Sequence, residues 1–273
     1  MRWDASQESS NVEDRRGVGM PVVAGGGIGA LVLAAVVYLL GGDPSALLQS
    51  AQQQAPAQAT APGQPRADDE QAAFAKAVLG QTEQVWTRVF AERGMQYSPP
   101  TMVLYDGATQ TGCGVGQAAM GPFYCPNDQR VYLDLSFFRE MQDKLGAPGD
   151  FARAYVIAHE VGHHVQNLLG EMGRSGRGAE GGSVRTELQA DCYAGVWENH
   201  AQTQLNNLEP GDIEEGLNAA SAVGDDRLQQ ESRGYVSPDS FTHGTSAQRT
   251  RWFTRGYKSG RLEDCDTFDA QTL

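Results

Sequence analysis

The sequence predicts an α+β domain, mainly helical with a small antiparallel sheet, preceded by one transmembrane helix. Three observations predict it. Short alternating patterns that suit strands fall early, at 102–105 and 130–135, and helical periodicities fill the rest of 70–273. A run without Asp, Glu, Lys or Arg occupies 17–42. Between the two, 43–69 is rich in Gln, Ala and Pro and has no apolar period.

The elements follow in chain order. At ~1.5 Å rise per residue, 17–42 exceeds the ~20 residues that cross a bilayer. Arg15 and Arg16 precede the run, and no Lys or Arg follows until Arg66. That asymmetry places 1–16 in the cytoplasm as a tail and the rest outside the cell membrane, as a single-pass protein with an extracytoplasmic domain. A cleaved signal peptide is the rival, but the run is long for one and no clear A-x-A site follows. The linker 43–69 cannot bury enough apolar surface to fold and reads as disordered. Phe74, Ala77, Val78, Val85, Val89 and Phe90 then make a helical stripe over 70–92. Ser136 caps a helix over 137–145, and Asp150 caps a long one over 151–169. The Gly-rich stretch 170–182 breaks it. Ser183 caps a helix reaching about 204, Pro210-Gly211-Asp212 opens one to 223, and a last helix spans 246–259.

Composition removes some function classes. The 273 residues carry 21 Lys+Arg against 34 Asp+Glu, a net charge of −13. A nucleic-acid binder needs a basic face to displace counterions, so none is expected as a partner. Charged residues are 20% and hydrophobic residues 40%, which excludes wholesale disorder and multiple membrane spans.

All four cysteines, Cys113, Cys125, Cys192 and Cys265, lie in the domain. Export makes two disulfides the expectation, with three pairings possible. Gly112, Gly114, Gly116, Gly121 and Pro122 allow a tight turn between Cys113 and Cys125, which leaves Cys192 with Cys265. Closing the shorter loop is worth ~3 kcal/mol. A four-cysteine zinc site lacks the C-x2-C knuckle such sites use.

The chemistry concentrates on two predicted helices. His159-Glu160-Val161-Gly162-His163 is H-E-x-x-H. Positions i and i+4 share a helix face, so both histidines reach one Zn2+ through ring nitrogens, while Glu160 stands beside that face as a base. Two histidines and a glutamate on an otherwise apolar helix are costly to bury without a ligand. A catalytic zinc needs a third protein ligand and one open position. Gln166 and Leu169 occupy the places where an extended motif has Gly and His, so that ligand comes from elsewhere. Glu187 and Asp191 are again i and i+4. Glu187 is the expected third ligand, and Asp191 the acceptor that fixes a ligating histidine's tautomer. His164 points off the face and reads either as structural or as a support behind the ligands.

These segments resemble a known family. HEVGHHVQNLLG, SVRTELQADCYAGVW, GDIEEGLNAASAVGDDRLQ and FTHGTSAQRTRWF, with the opening MRWDASQESSNVEDRRG and the apolar run after it, are similar to the bacterial neutral zinc metallopeptidases. The resemblance covers nearly the whole chain except the linker. It implies a zincin-like fold, one catalytic Zn2+, a membrane anchor and a peptide or protein substrate. H-E-x-x-H with a later E-x-x-x-D is also similar to gluzincins, whose Glu is the third zinc ligand. THGTSAQR resembles a THP-and-Arg motif of integral-membrane zincins, with Gly244 in place of Pro. That likeness puts His243 and Arg249 forward as catalytic groups that stabilise the oxyanion.

The expectation that follows is a membrane-anchored zinc metalloendopeptidase. Zinc held by His159, His163 and Glu187 activates water, Glu160 moves its proton, and His243 supports the oxyanion. The strand near 131–135 is expected to align an extended substrate, and 170–182 to gate access. Two alternatives use the same residues: an inactive zincin-fold scaffold at the membrane, and a zinc amidase acting on non-protein substrates.

Overall fold

The computed structural model describes residues 1–17, 66–173 and 176–273. Six strands are present among them: β1 (Val12–Asp14), β2 (Thr101–Tyr105), β3 (Ala108–Thr111), β4 (Gly114–Gln117), β5 (Phe123–Cys125) and β6 (Arg130–Asp134). Seven α-helices accompany them: α1 (Asp69–Glu92), α2 (Ser136–Asp143), α3 (Asp150–Leu169), α4 (Gly182–Leu205), α5 (Asp212–Ala222), α6 (Asp225–Arg233) and α7 (Ser246–Ser259).

The sheet differs from the antiparallel one expected. Its order is β1-β2-β6-β5; β1 runs parallel to β2, β2 parallel to β6, and only β5 is antiparallel to β6. The physical reason lies in the strands' own composition. Positions 102–105 and 131–133 are buried without a break, the mark of strands covered on both faces rather than one. Met102, Leu104, Val131 and Leu133 face the main core, while Val103, Tyr105 and Tyr132 pack with Cys125 on the other side. The hairpin β3–β4 stands apart and is tied to β5 by Cys113–Cys125, with Cα atoms 5.9 Å apart. Cys192–Cys265, with Cα atoms 5.5 Å apart, ties the C-terminal tail to α4. Both pairs are those expected.

The anchor and its topology are corrected as well. Among the described residues no helix is long and apolar enough to cross a membrane. The run read as an anchor, 17–42, lies outside the described residues except for Gly17, as does most of the linker 43–69. The single-pass arrangement fails on a separate ground. It needs 1–16 on one side of a bilayer and the domain on the other. Instead Val12, Glu13 and Asp14 pair with Met102, Val103 and Leu104, the Trp3 ring meets Phe74 edge-on at 5.4 Å, and the Met1 side chain is buried. Residues 1–16 are therefore part of the domain, and the cytoplasmic-tail reading is withdrawn.

Helix α3 runs through the middle of the core. Every residue from 154 to 166 is buried, so the helix is covered on all sides apart from the cavity that its histidine face lines. Two close approaches hold the helices that carry the site. A Cβ on Gly162 would lie 2.8 Å from the Ala190 carbonyl oxygen, so α3 and α4 pack backbone to backbone there. A Cβ on Gly256 would overlap the Cys192 carbonyl oxygen, so α7 packs on the α4 backbone more tightly still. Only glycine leaves that space.

Candidate metal and catalytic site

His159 and His163 project from one face of α3, and Glu187 faces them from the first turns of α4. The Nε2 atom of His159 lies 3.2 Å from one Glu187 oxygen, and the Nε2 atom of His163 lies 3.5 Å from the other. Ligand atoms of the three residues all fall within 4.8 Å of one another. The close approach at Gly162 makes this convergence possible, since it sets the spacing of the two helices one turn from Glu187.

The far nitrogens are engaged behind this cluster. His159 Nδ1 meets Asp191 Oδ1 at 2.9 Å. Asp191 is fully buried and also accepts from Arg249 Nε and Nη2, each at 2.9 Å, and from the Tyr155 hydroxyl. His163 Nδ1 meets Gln166 Oε1 at 2.8 Å. Both Nε2 atoms are thus left pointing at Glu187. Two imidazole nitrogens and one carboxylate are the donor set of a catalytic zinc, so the residues fit the ion.

The electrostatics agree. Burial pulls the His159 pKa down, but Asp191 and Glu187 outweigh it and raise it to about 10. His163 is raised in the same way, chiefly by Glu187 against its burial. Burial opposes ionisation of Glu187, yet the two histidines hold its pKa well below the usual carboxylate range. This field demands positive charge between the three side chains, which a divalent ion would supply. Glu160 differs. Burial, the largest influence on it, raises its pKa, and among the described residues its carboxylate makes no hydrogen bond.

A cavity of about 560 Å3 opens on this cluster. His159, Glu160, His163, Glu187, His243 and Arg249 all line it. His243 is brought to the cavity by the turn that enters α7, where Thr245 and Gln248 form a reciprocal cap. Its side chain is half exposed, and Asp225 accepts from its backbone N–H at 2.7 Å and meets its Nδ1 at 3.3 Å. The Asp225 hydrogen bond raises the His243 pKa against the effect of burial. Arg249 is 3% exposed and its Nε and Nη2 are directed at Asp191 rather than into the open cavity. His164 is held by the Tyr124 hydroxyl at 3.0 Å and the Ser98 carbonyl at 2.6 Å, away from the cluster.

Two expectations about substrate access change. Strand β6 is paired on both sides, so 131–135 offers no free edge; of the two edge strands, β1 and β5, only β5 reaches the cavity, where Phe123 and Tyr124 line it with Met120, Gly121 and Pro122 before them. Among its described residues, 170–182 contributes none to the cavity lining. Sequence reasoning missed Tyr155, Gln166 and Asp225. Tyr155 was legible only as an apolar helix position, Gln166 only as a departure from a longer motif, and Asp225 carried no signal at all.

The sequence profile of a family described as "Putative neutral zinc metallopeptidase" matches residues 1–268. The chain is 51% identical to Uncharacterized protein YpfJ of Escherichia coli K12, over 98% of this chain and 99% of that protein. It is 50% identical to Uncharacterized protein Rv2575 of Mycobacterium tuberculosis, over 65% of each. No solved structure matches it.

Proposed function

This chain belongs to the neutral zinc metallopeptidase family, and from that premise we propose that it hydrolyses internal peptide bonds at the His159–His163–Glu187 cluster, with Glu160 as general base. The family implies a peptide or protein substrate. The observation that carries the reading is the convergence of three ligand atoms within 4.8 Å beside an unengaged, buried Glu160 in one cavity.

His159 Nε2, His163 Nε2 and the Glu187 carboxylate would hold the zinc. When bound there, zinc supplies a Lewis acid that polarises the scissile carbonyl and acidifies the attacking water. Glu160 takes the proton from that water on a carboxylate oxygen and delivers it to the leaving nitrogen. Its raised pKa suits a group that must hold a proton for part of the cycle. His243, at the same cavity and hydrogen-bonded to Asp225, donates to the oxygen on which negative charge builds. Arg249 acts one step back, holding Asp191 and through it the ring of His159. The free edge of β5 pairs with an extended substrate backbone, as edge strands do.

The test compares casein cleavage by the zinc-loaded chain and by Glu160→Gln. Loss of a general base costs ~10^2 to 10^4 in rate, while zinc content should be unchanged. Equal cleavage by the two proteins would remove Glu160 from the chemistry. No cleavage of any peptide by the zinc-loaded wild type would remove the peptidase reading itself.

A further inference from the structure

We propose that Gln166 and Gln189 are positioning residues for His163: a buried amide relay that starts at two backbone carbonyls and fixes which nitrogen of the ring is free to bind metal. The inference rests on the reading of His163 as a ligand. It concerns what aims that ligand.

The relay is directional because its outer ends can only accept. The Cys265 carbonyl accepts from Gln189 Nε2 at 3.3 Å, so Gln189 must turn Oε1 inward. That Oε1 accepts from Gln166 Nε2 at 2.8 Å. The same Gln166 Nε2 also donates to the Thr186 carbonyl at 2.8 Å, a second group that can only accept. Both amide hydrogens of Gln166 are therefore committed, and its Oε1 is left facing His163 Nδ1 at 2.8 Å. An amide oxygen cannot donate, so Nδ1 must carry the hydrogen, and the Nε2 lone pair is left for the metal. Flipping either amide would set oxygen against a carbonyl oxygen. Gln166 is fully buried and Gln189 nearly so, which makes such an unpaired contact expensive.

The two metal-facing histidines are thus aimed by different chemistry. His159 has a carboxylate, Asp191, that is itself held by Arg249. His163 has a neutral relay that ends at the tail carbonyl of Cys265, whose sulfur is bonded to Cys192 on α4. The relay also joins α3 to the backbone of Thr186, the residue before Glu187. A single glutamine therefore sets the orientation of one ligand and braces the turn that carries another.

Zinc affinity measured by competition with a chromophoric chelator tests this on the full chain, with the visible spectrum of the Co2+-loaded protein as a second readout. Gln166→Leu should weaken zinc binding about 10- to 100-fold and alter the Co2+ spectrum. Gln166→Glu keeps an acceptor toward Nδ1 and should restore most of the affinity, although it disturbs the rest of the relay. A purely structural glutamine would predict the reverse order, because the carboxylate sets oxygen against the Thr186 carbonyl. Zinc affinity of Gln166→Leu within twofold of wild type overturns the proposal, as does a Gln166→Glu weaker than Gln166→Leu. Should Gln166→Leu fail to fold, 15N-histidine spectra of the unaltered zinc-free chain decide, recorded at a pH alkaline enough for the His163 ring to be neutral: hydrogen on Nδ1 supports the relay, and hydrogen on Nε2 alone overturns it. A wild-type chain that binds no zinc would instead sink the metallopeptidase reading.

Discussion

Asp191 Oδ1 lies 2.9 Å from Nδ1 of His159, on the side of the ring opposite Glu187. The histidine is therefore held between a carboxylate that orients it and a carboxylate that shares its proposed metal. The first of these is buried with a guanidinium on it, and this yields the first prediction.

Asp191→Ala should damage stability and metal binding together. Removing one partner of a buried pair leaves the Arg249 charge uncompensated, which costs about 3–5 kcal/mol. Urea denaturation of the metal-free protein reads that loss. Zinc affinity should fall ~10- to 100-fold as the His159 ring loses its acceptor. A variant that binds zinc as wild type does would show that Asp191 serves Arg249 alone.

Gly162→Ala tests the packing that brings the ligands together. The added Cβ would meet the Ala190 carbonyl oxygen at 2.8 Å, so α3 and α4 must separate by some tenths of an ångström. Overpacking of this kind costs about 1–3 kcal/mol. The expected signature is a lower urea midpoint together with weaker zinc binding, because Glu187 rides on the helix that moves. A lowered midpoint with unchanged zinc affinity would uncouple the helix spacing from the site.

The convergence of His159, His163 and Glu187 is legible because it is built from local repeats. His159 and His163, like Glu187 and Asp191, are four apart, and helix geometry alone puts each pair on one face. Both disulfides were legible because glycines crowd the stretch between Cys113 and Cys125. What escaped depends on distant chain segments. Strand β1 is three residues, Val-Glu-Asp, whose only reason to be a strand is β2, nearly ninety positions later. Parallel pairing leaves no local turn to read, so nothing in the sequence near these strands marks the sense of the sheet. Gln166 and Asp225 act through partners on other elements, and their side chains have no period to betray them.

His243→Ala should lower kcat ~10^2-fold with little change in KM, the pattern of a donor used mainly in the transition state. Its pH dependence supplies a sharper check. Asp225 raises the His243 pKa, so the charged imidazole persists above the ordinary value and is lost as pH rises through the raised one. If the charged form is the donor, activity falls along that limb. Asp225→Asn should then move the alkaline limb to lower pH. A limb that stays in place would assign it to another group.

Glu198 gives a prediction about stability that is independent of the site. It sits fully buried on α4, with Oε2 accepting from Asn207 at 3.2 Å and Oε1 without a hydrogen bond among the described residues. Burial pushes its pKa up to about 8. Below the unfolded value of 4.5, both states hold the proton and nothing is lost. As pH rises from there to about 8, the unfolded chain ionises first, and stability falls by roughly 1.4 kcal/mol per pH unit. Above that range both states are ionised and the slope vanishes. Glu198→Gln removes the titration at nearly constant shape. It should be more stable than wild type by on the order of 3 kcal/mol at pH 7, and equal to it near pH 4.5. Urea midpoints of the two metal-free proteins across that range measure the difference. A gap that does not widen with pH would mean that Glu198 is already ionised in the folded protein, held by charge that the Asn207 contact does not supply.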